Sequence, residues 1–208
     1  MPRPYRDLCR TLGFVFLLAF APLGHALAAD DASAFIVKLG QQAMATTGSA
    51  VSPAERVRHF AVIVDRNFDV PKIAQFMLGR YWQTASDSDR TDFINVFRDY
   101  IVRIYADHFS LYRGDSFRVI DQRAESATVT IVRTSITAIA SGQAMTLEWR
   151  VTKGPEGFKV DDLIVAGISL ATAQQQEFAS VIRLDGGQVS ILTKQVRSKL
   201  TQLETAGQ

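Results

Sequence analysis

Few residues in this 208-residue chain have the type and spacing to do chemistry. Two aspartates stand out because they fall in phase with apolar neighbours. Asp121 follows Phe117 and Val119, and Asp162 sits between Val160 and Ile164. Residues two apart share a face of a strand, so either carboxyl would lie on an apolar sheet face. Burial there raises a carboxyl's pKa and can make it a general base. Neither aspartate has a second catalytic group at a spacing that would complete a site. The simpler expectation is an aspartate near a strand end, ion-paired or hydrogen-bonded to backbone. His59 and His108 lie far apart, and no metal-ligand spacing involves them. There is no glycine-rich phosphate loop and no G-x-S-x-G turn. Gly154-Pro155-Glu156-Gly157 reads as a hairpin turn, where proline removes an amide that a phosphate would need. The expectation is therefore a protein that is not an enzyme and has no metal, cofactor or catalytic residue.

The N-terminus carries a different signal. Arg3, Arg6 and Arg10 precede an uncharged apolar run from Leu12 to Leu23, and Ala26-Leu27-Ala28 supplies a small-x-small cleavage pattern. Residues 1–28 are expected to be a cleaved secretory signal, leaving a single domain at 29–208 in the periplasm of a Gram-negative-type envelope. The apolar run is well short of the roughly 20 residues that span a bilayer. Without this segment the chain keeps 20 basic and 20 acidic residues. Such a neutral chain lacks the electrostatic footprint of a nucleic-acid binder, so no nucleic-acid partner is expected. Cys9 is the only cysteine. The remaining chain has no disulfide to rely on and must be held by a hydrophobic core, for which its length suffices.

The elements that would position these residues follow from apolar periodicity. Helical spacing runs through Ala32–Thr46, with a break at Thr47-Gly48-Ser49. Ser52-Pro53-Ala54-Glu55 has the form of a capping box with proline at the first helical position, and Val57, Phe60, Ala61, Val64 and Phe68 follow as a stripe. A short helix is expected over Pro71–Leu78, then a long aromatic one opened by Ser86-Asp87-Ser88-Asp89 and running to His108. The period then changes to two. Runs around Phe117–Asp121, Thr128–Ile131, Met145–Val151 and Phe158–Val165 read as a meander of four antiparallel strands. Two helices close the chain, the first with Thr172 and Gln175 as capping residues and ending at Gly186-Gly187. The expected fold class is α+β: a curved antiparallel sheet of four or slightly more strands, with helices on one face.

What remains unassigned is an excess of large apolar side chains. On the helices the candidate ligand-lining residues are Phe76, Tyr81, Trp82, Phe97, Tyr100 and Ile104. On the strands they are Val129, Ile131, Met145, Leu147, Trp149 and Ile164. Periodicity fits either a filled core or an apolar cavity between sheet and helices, the usual place for a hydrophobic ligand.

Two blocks carry a resemblance. The first is Phe76-Met77-Leu78-Gly79-Arg80-Tyr81-Trp82, followed by Phe93, Phe97, Tyr100 and Tyr105. The second runs from Asp162 to Leu170 as DLIVAGISL, with Phe178 downstream. Over about Phe35 to Leu200 the sequence resembles the MlaC family, the periplasmic phospholipid-binding components of the Mla lipid transport system. That family also includes toluene-tolerance auxiliary and hopanoid-biosynthesis-associated proteins. It usually has glutamate where this chain has Ala166. The resemblance implies a carrier that shields the acyl chains of a phospholipid, or a hopanoid, between inner and outer membranes and so serves outer-membrane lipid asymmetry. It implies as partners an inner-membrane ABC transporter complex with its ring protein and an outer-membrane lipoprotein complex. Two alternatives stay open: an enzyme of the same architecture with Asp121 or Asp162 as base on an apolar substrate, and a structural auxiliary with a filled core.

Overall fold

Short-range signals set most helix boundaries. The computed structural model describes residues 24–45, 51–109, 112–138 and 140–206. Helix α1 spans Gly24–Met44 and α2 spans Pro53–Asn67. The capping box at the start of α2 is complete: Glu55 N donates to Ser52 Oγ at 3.2 Å, and Ser52 N donates to Glu55 Oε2 at 3.1 Å. The Ser52 hydroxyl, which donates to Glu55 Oε2 at 2.8 Å, and then the Ser52 amide hold the Glu55 carboxyl below its usual range. Asp69 caps α3, Val70–Leu78, which has proline in its first turn. One turn, α4 at Tyr81–Thr84, precedes the long α5, Asp87–Phe109. Ser86 starts α5 by accepting from Asp89 N at 3.1 Å. Residues 1–23 of the expected signal and the break at 47–49 lie outside the described residues, whereas residues 24–28 of that signal form the start of α1.

The sheet is a five-stranded antiparallel meander in the order β1-β2-β3-β4-β5. Its strands are β1 Tyr112–Ala124, β2 Val129–Ala138, β3 Ala144–Gly154, β4 Gly157–Val165 and β5 Ile168–Ser169. The four expected strands are present, and β5 adds a two-residue return through Ala166 and Gly167, both at positive φ. Helix α6, Leu170–Leu184, then begins from Ser169, whose Oγ accepts from Thr172 N at 3.0 Å. The cap is thus Ser169, not Thr172, because the chain turns directly out of β5 into the helix. Helix α7, Val189–Ala206, ends the described chain. None of the described helices is long and apolar enough to cross a membrane.

Helices cover one face of the sheet, as the fold class requires. Helix α1 packs on β1 and β2, α6 packs on β4 and α3, and α5 lies between α2, α3 and α7. The core centres on Phe93 and Phe97 of α5, whose rings stack at 5.6 Å and meet Phe178 of α6 edge-on. From the sheet, Val132, Ile136, Leu147, Trp149, Val151, Val160 and Leu163 join it.

Two of the sheet's three register shifts decide how the candidate residues of β1 and β4 face. In β1, Val119 opposes Thr134 but Asp121 opposes Arg133, so Ile120 is an extra residue. In β4, Val160 opposes Val151 but Asp162 opposes Arg150, so Asp161 is extra. Each such bulge reverses the inward and outward alternation of the residues beyond it.

Candidate ligand-binding cavity

The bulges explain where the sequence-derived candidates fall. Asp121 does not lie on the apolar face. The extra Ile120 turns it to the outer face, exposed, where Arg133 Nε donates to its Oδ1 at 3.1 Å. Asp121 therefore lies away from the apolar face on which the sequence placed it. Beyond the β4 bulge, Leu163 turns inward opposite Trp149, and Ile164 turns outward opposite Glu148. Val129 and Ile131 are also on the outer face. The inward residues of β2 are Thr130, Val132, Thr134 and Ile136, the alternate set. Ile131 is buried there but lies outside the core cluster. Its cross-strand neighbours are Arg123 and Arg150, which pair with Glu148 and Glu125. Met145, Leu147 and Trp149 face the helices.

On the helical side the principal cavity, about 310 Å³, lies between α3, α5, α6 and the end of β4. Helix α5 contributes Phe97, Tyr100, Ile101, Ile104 and Tyr105, and α3 contributes Ile73 and Met77. Leu163 forms the strand side, and Leu170, Ala171 and Ala173 come from the first turn of α6. The walls are mainly apolar, with polar groups at His108, Asp161, Asp162, Gln174 and Glu177. This volume falls at the low end of small-molecule sites, roughly 300–1,000 Å³.

A second space of about 20 Å³ lies deeper, among Leu39, Gly40 and Ala43 of α1, Phe60, Ile63 and Val64 of α2, and Trp149. It has room for about one water and offers almost no polar partner. Phe68, Tyr105 and Leu163 line both spaces, and the rings of Phe68 and Tyr105 stack at 6.2 Å. These three side chains separate the outer cavity from the apolar interior.

The electrostatics favour neutral hydroxyls and anchored carboxylates. Burial, with the charge of Asp162 nearby, pushes the Tyr105 hydroxyl up to about 12. Burial also raises Tyr100, with Glu177 adding to the effect. Both phenols are protonated donors at neutral pH. Asp162 is occupied structurally: its Oδ1 accepts from Leu163 N at 2.8 Å and from Ala171 N at 3.0 Å, tying the end of β4 to the start of α6. Asp161 accepts from Lys72 Nζ at 2.9 Å and also from Thr152 Oγ1. No group of three or more His, Cys, Asp or Glu residues able to hold a metal occurs among the described residues.

Of the helical candidates, Phe97, Tyr100 and Ile104 converge on the principal cavity. Trp149 lines the deeper space, and Leu147 and Met145 pack beside it in the core. Phe76, Tyr81 and Trp82 lie elsewhere. Phe76 is exposed, Tyr81 lines a separate groove, and the guanidinium of Arg90 covers the Trp82 ring at 5.2 Å. Cavity residues that sequence reasoning did not select include Phe68, Ile73, Met77 and Ile101, all on apolar helical stripes. Leu163 was hidden by the bulge that shifts its phase.

The family model described as MlaC protein matches residues 38–198. Among solved structures, the chain is similar to the phospholipid-binding protein from Ralstonia solanacearum, determined in complex with a phospholipid. The two share 26% sequence identity with a TM-score of 0.70, over 84% of this chain and 99% of that one.

Proposed function

This chain belongs to the MlaC family, and on that premise we propose that it is a non-enzymatic carrier of phospholipid in the periplasm. The observation that carries the reading is the apolar-walled cavity between α3, α5 and α6, in a fold shared with a phospholipid-complexed protein. A lipid in water exposes its tails at about 0.8 kcal/mol per methylene, so two ordinary tails amount to over ~20 kcal/mol gross by that rule. Hiding them removes most of the barrier to transfer and requires no bond to be made or broken.

Phe97, Tyr100 and Ile104 contact the acyl chains in this reading, together with Ile101, Met77 and Leu163. The neutral Tyr100 hydroxyl and the side chains of His108, Gln174 and Glu177 meet the polar part of the lipid. The cavity of about 310 Å³ is small for a two-tailed lipid. Full loading therefore separates Phe68, Tyr105 and Leu163 and joins the principal cavity to the space beside Trp149. Lipid is received from or passed to the inner-membrane ABC transporter complex with its ring protein and the outer-membrane lipoprotein complex. Phospholipid is favoured over hopanoid because a phospholipid occupies the R. solanacearum protein.

The test is lipid extraction and mass spectrometry on protein purified without detergent, followed by transfer of a fluorescent phospholipid between vesicles. Co-purified phospholipid and accelerated transfer are expected. A hopanoid in its place would replace the ligand assignment. Protein that is repeatedly lipid-free and also fails to take up added lipid would overturn the carrier reading.

A further inference from the structure

The other side of α6 carries a further concavity with opposite chemistry. A groove of about 430 Å³ runs between the α3–α4 corner and α6, lined by Leu78, Gly79, Arg80 and Tyr81 on one side. Gln175, Gln176, Ser180 and Arg183 line the other. No aspartate or glutamate lines it. The corner is held close to the helix by local geometry. Gly79 has φ 51°, and Gln175 Nε2 donates to the Phe76 carbonyl at 2.5 Å.

Its two cations are uncompensated. Arg98, Arg133, Arg150 and Arg197 each pair with a carboxylate. Among the described residues, Arg80 and Arg183 do not. Arg80 instead donates to the Tyr81 hydroxyl at 2.9 Å and lies 4.9 Å from the centre of its ring. Guanidinium groups present several fixed donors matched to carboxylate or phosphate, and two of them in one groove, beside amide and hydroxyl donors, describe an anion-binding surface. Two exposed apolar residues are close by in the chain: Leu184, next to Arg183, is 79% exposed, and Phe76, whose carbonyl accepts from Gln175, is 44% exposed.

We propose that this groove docks an acidic segment of a partner protein, with a carboxylate side chain between Arg80 and Arg183 and apolar side chains against Phe76 and Leu184. Arginine with aromatic neighbours is the composition of protein interfaces. A bilayer is the weaker candidate. Adhesion to anionic lipid is read from clusters of 4–8 basic residues, whereas this groove is concave and holds two. The place of the groove gives docking a consequence. Residues of the same helix, Ala173, Gln174 and Glu177, line the principal cavity, so a partner seated here holds the helix that also walls the ligand site. No residue of the groove lines that cavity, and the assignment stands whether or not the cavity takes lipid.

The test is an NMR titration of the ¹⁵N-labelled protein with a short peptide of alternating glutamate and leucine. The expected result is shift changes centred on Arg80, Gln175, Gln176 and Arg183, and an affinity that falls with added salt. The Arg80→Gln/Arg183→Gln variant is expected to bind at least about tenfold more weakly, with partial recovery in Arg80→Lys/Arg183→Lys. The lipid content of both variants, measured by mass spectrometry, should equal that of the unaltered protein. No binding, shifts elsewhere, or equal affinity in the glutamine variant would each overturn the proposal. Phosphatidylglycerol vesicles form the second arm. Loss of vesicle binding without loss of peptide binding in the glutamine variant would replace the peptide with a membrane surface.

Discussion

The indole of Trp149 is buried among apolar side chains, and its Nε1 donates to Thr134 Oγ1 at 2.9 Å. Thr134 is itself fully buried, so this bond has no substitute in water. Thr134→Val removes the acceptor at nearly constant volume and should cost about 1–3 kcal/mol, the penalty of an orphaned buried donor. Adding Trp149→Phe removes the orphan, so the double variant should lose less than the sum of the two single losses. Urea denaturation of the four proteins measures this. Additive losses would mean that the bond contributes nothing beyond packing. Tyr105 gives a pH signature. Its folded-state pKa is raised to about 12 from an ordinary value near 10. The stabilisation is thus fully present below pH ~10 and lost as pH rises toward ~12. Spectrophotometric titration should show one phenolate forming near pH 12, and Tyr105→Phe should remove that step. Residue-scale placement was the least legible part of the sequence. Asp121 and Ile164 were placed by a strict period of two, which the extra residues Ile120 and Asp161 interrupt. Nothing in the composition around those positions marks a bulge. Val129 and Ile131 were assigned from a short run in which alternate residues on both faces are apolar or threonine, so its phase was ambiguous.

At the scale of elements, α1 sits close on the sheet because it has a glycine where Phe117 of β1 lies against it. A Cβ on Gly40 would fall 2.2 Å from Phe117 Cε1. Two effects oppose each other in Gly40→Ala. Helix propensity favours alanine by about 1 kcal/mol, whereas forcing a methyl into a filled contact costs roughly 1–3 kcal/mol. At so short a distance the steric term wins, and the variant should be less stable. Phe117→Leu in the same protein should restore part of the loss. Thermal melts decide it, and a Gly40→Ala protein that melts higher would show that α1 can move off the sheet freely. Helix starts were legible because Ser52-Pro53-Ala54-Glu55 and Ser86-Asp87-Ser88-Asp89 satisfy backbone donors within four residues. Strand β5 and the Ser169 cap were not. They depend on a reversal at Ala166-Gly167 whose first residue, a non-glycine at φ 51°, is an unusual choice there.

For the whole molecule, the switch from helical to alternating periodicity was enough to give an α+β domain with a meander and helices on one face. It was not enough to locate the cavity. An apolar excess reads the same whether side chains fill a core or wall a space, and the difference lies in how closely α3, α5 and α6 approach β4. The central claim is that this space, on the helical face of the sheet, holds the acyl chains of a phospholipid. Two half-buried apolar residues on opposite sides of the sheet separate that claim from a general loss of stability. Ile104 lines the cavity, and Val129 lies on the outer face. Native mass spectrometry of protein purified without detergent, compared among the unaltered chain, Ile104→Trp and Val129→Trp, is the most direct measurement. The unaltered chain and Val129→Trp should carry a phospholipid, while Ile104→Trp, shown to be folded by circular dichroism, should carry little or none. A folded Ile104→Trp protein with its full complement of lipid would contradict the account.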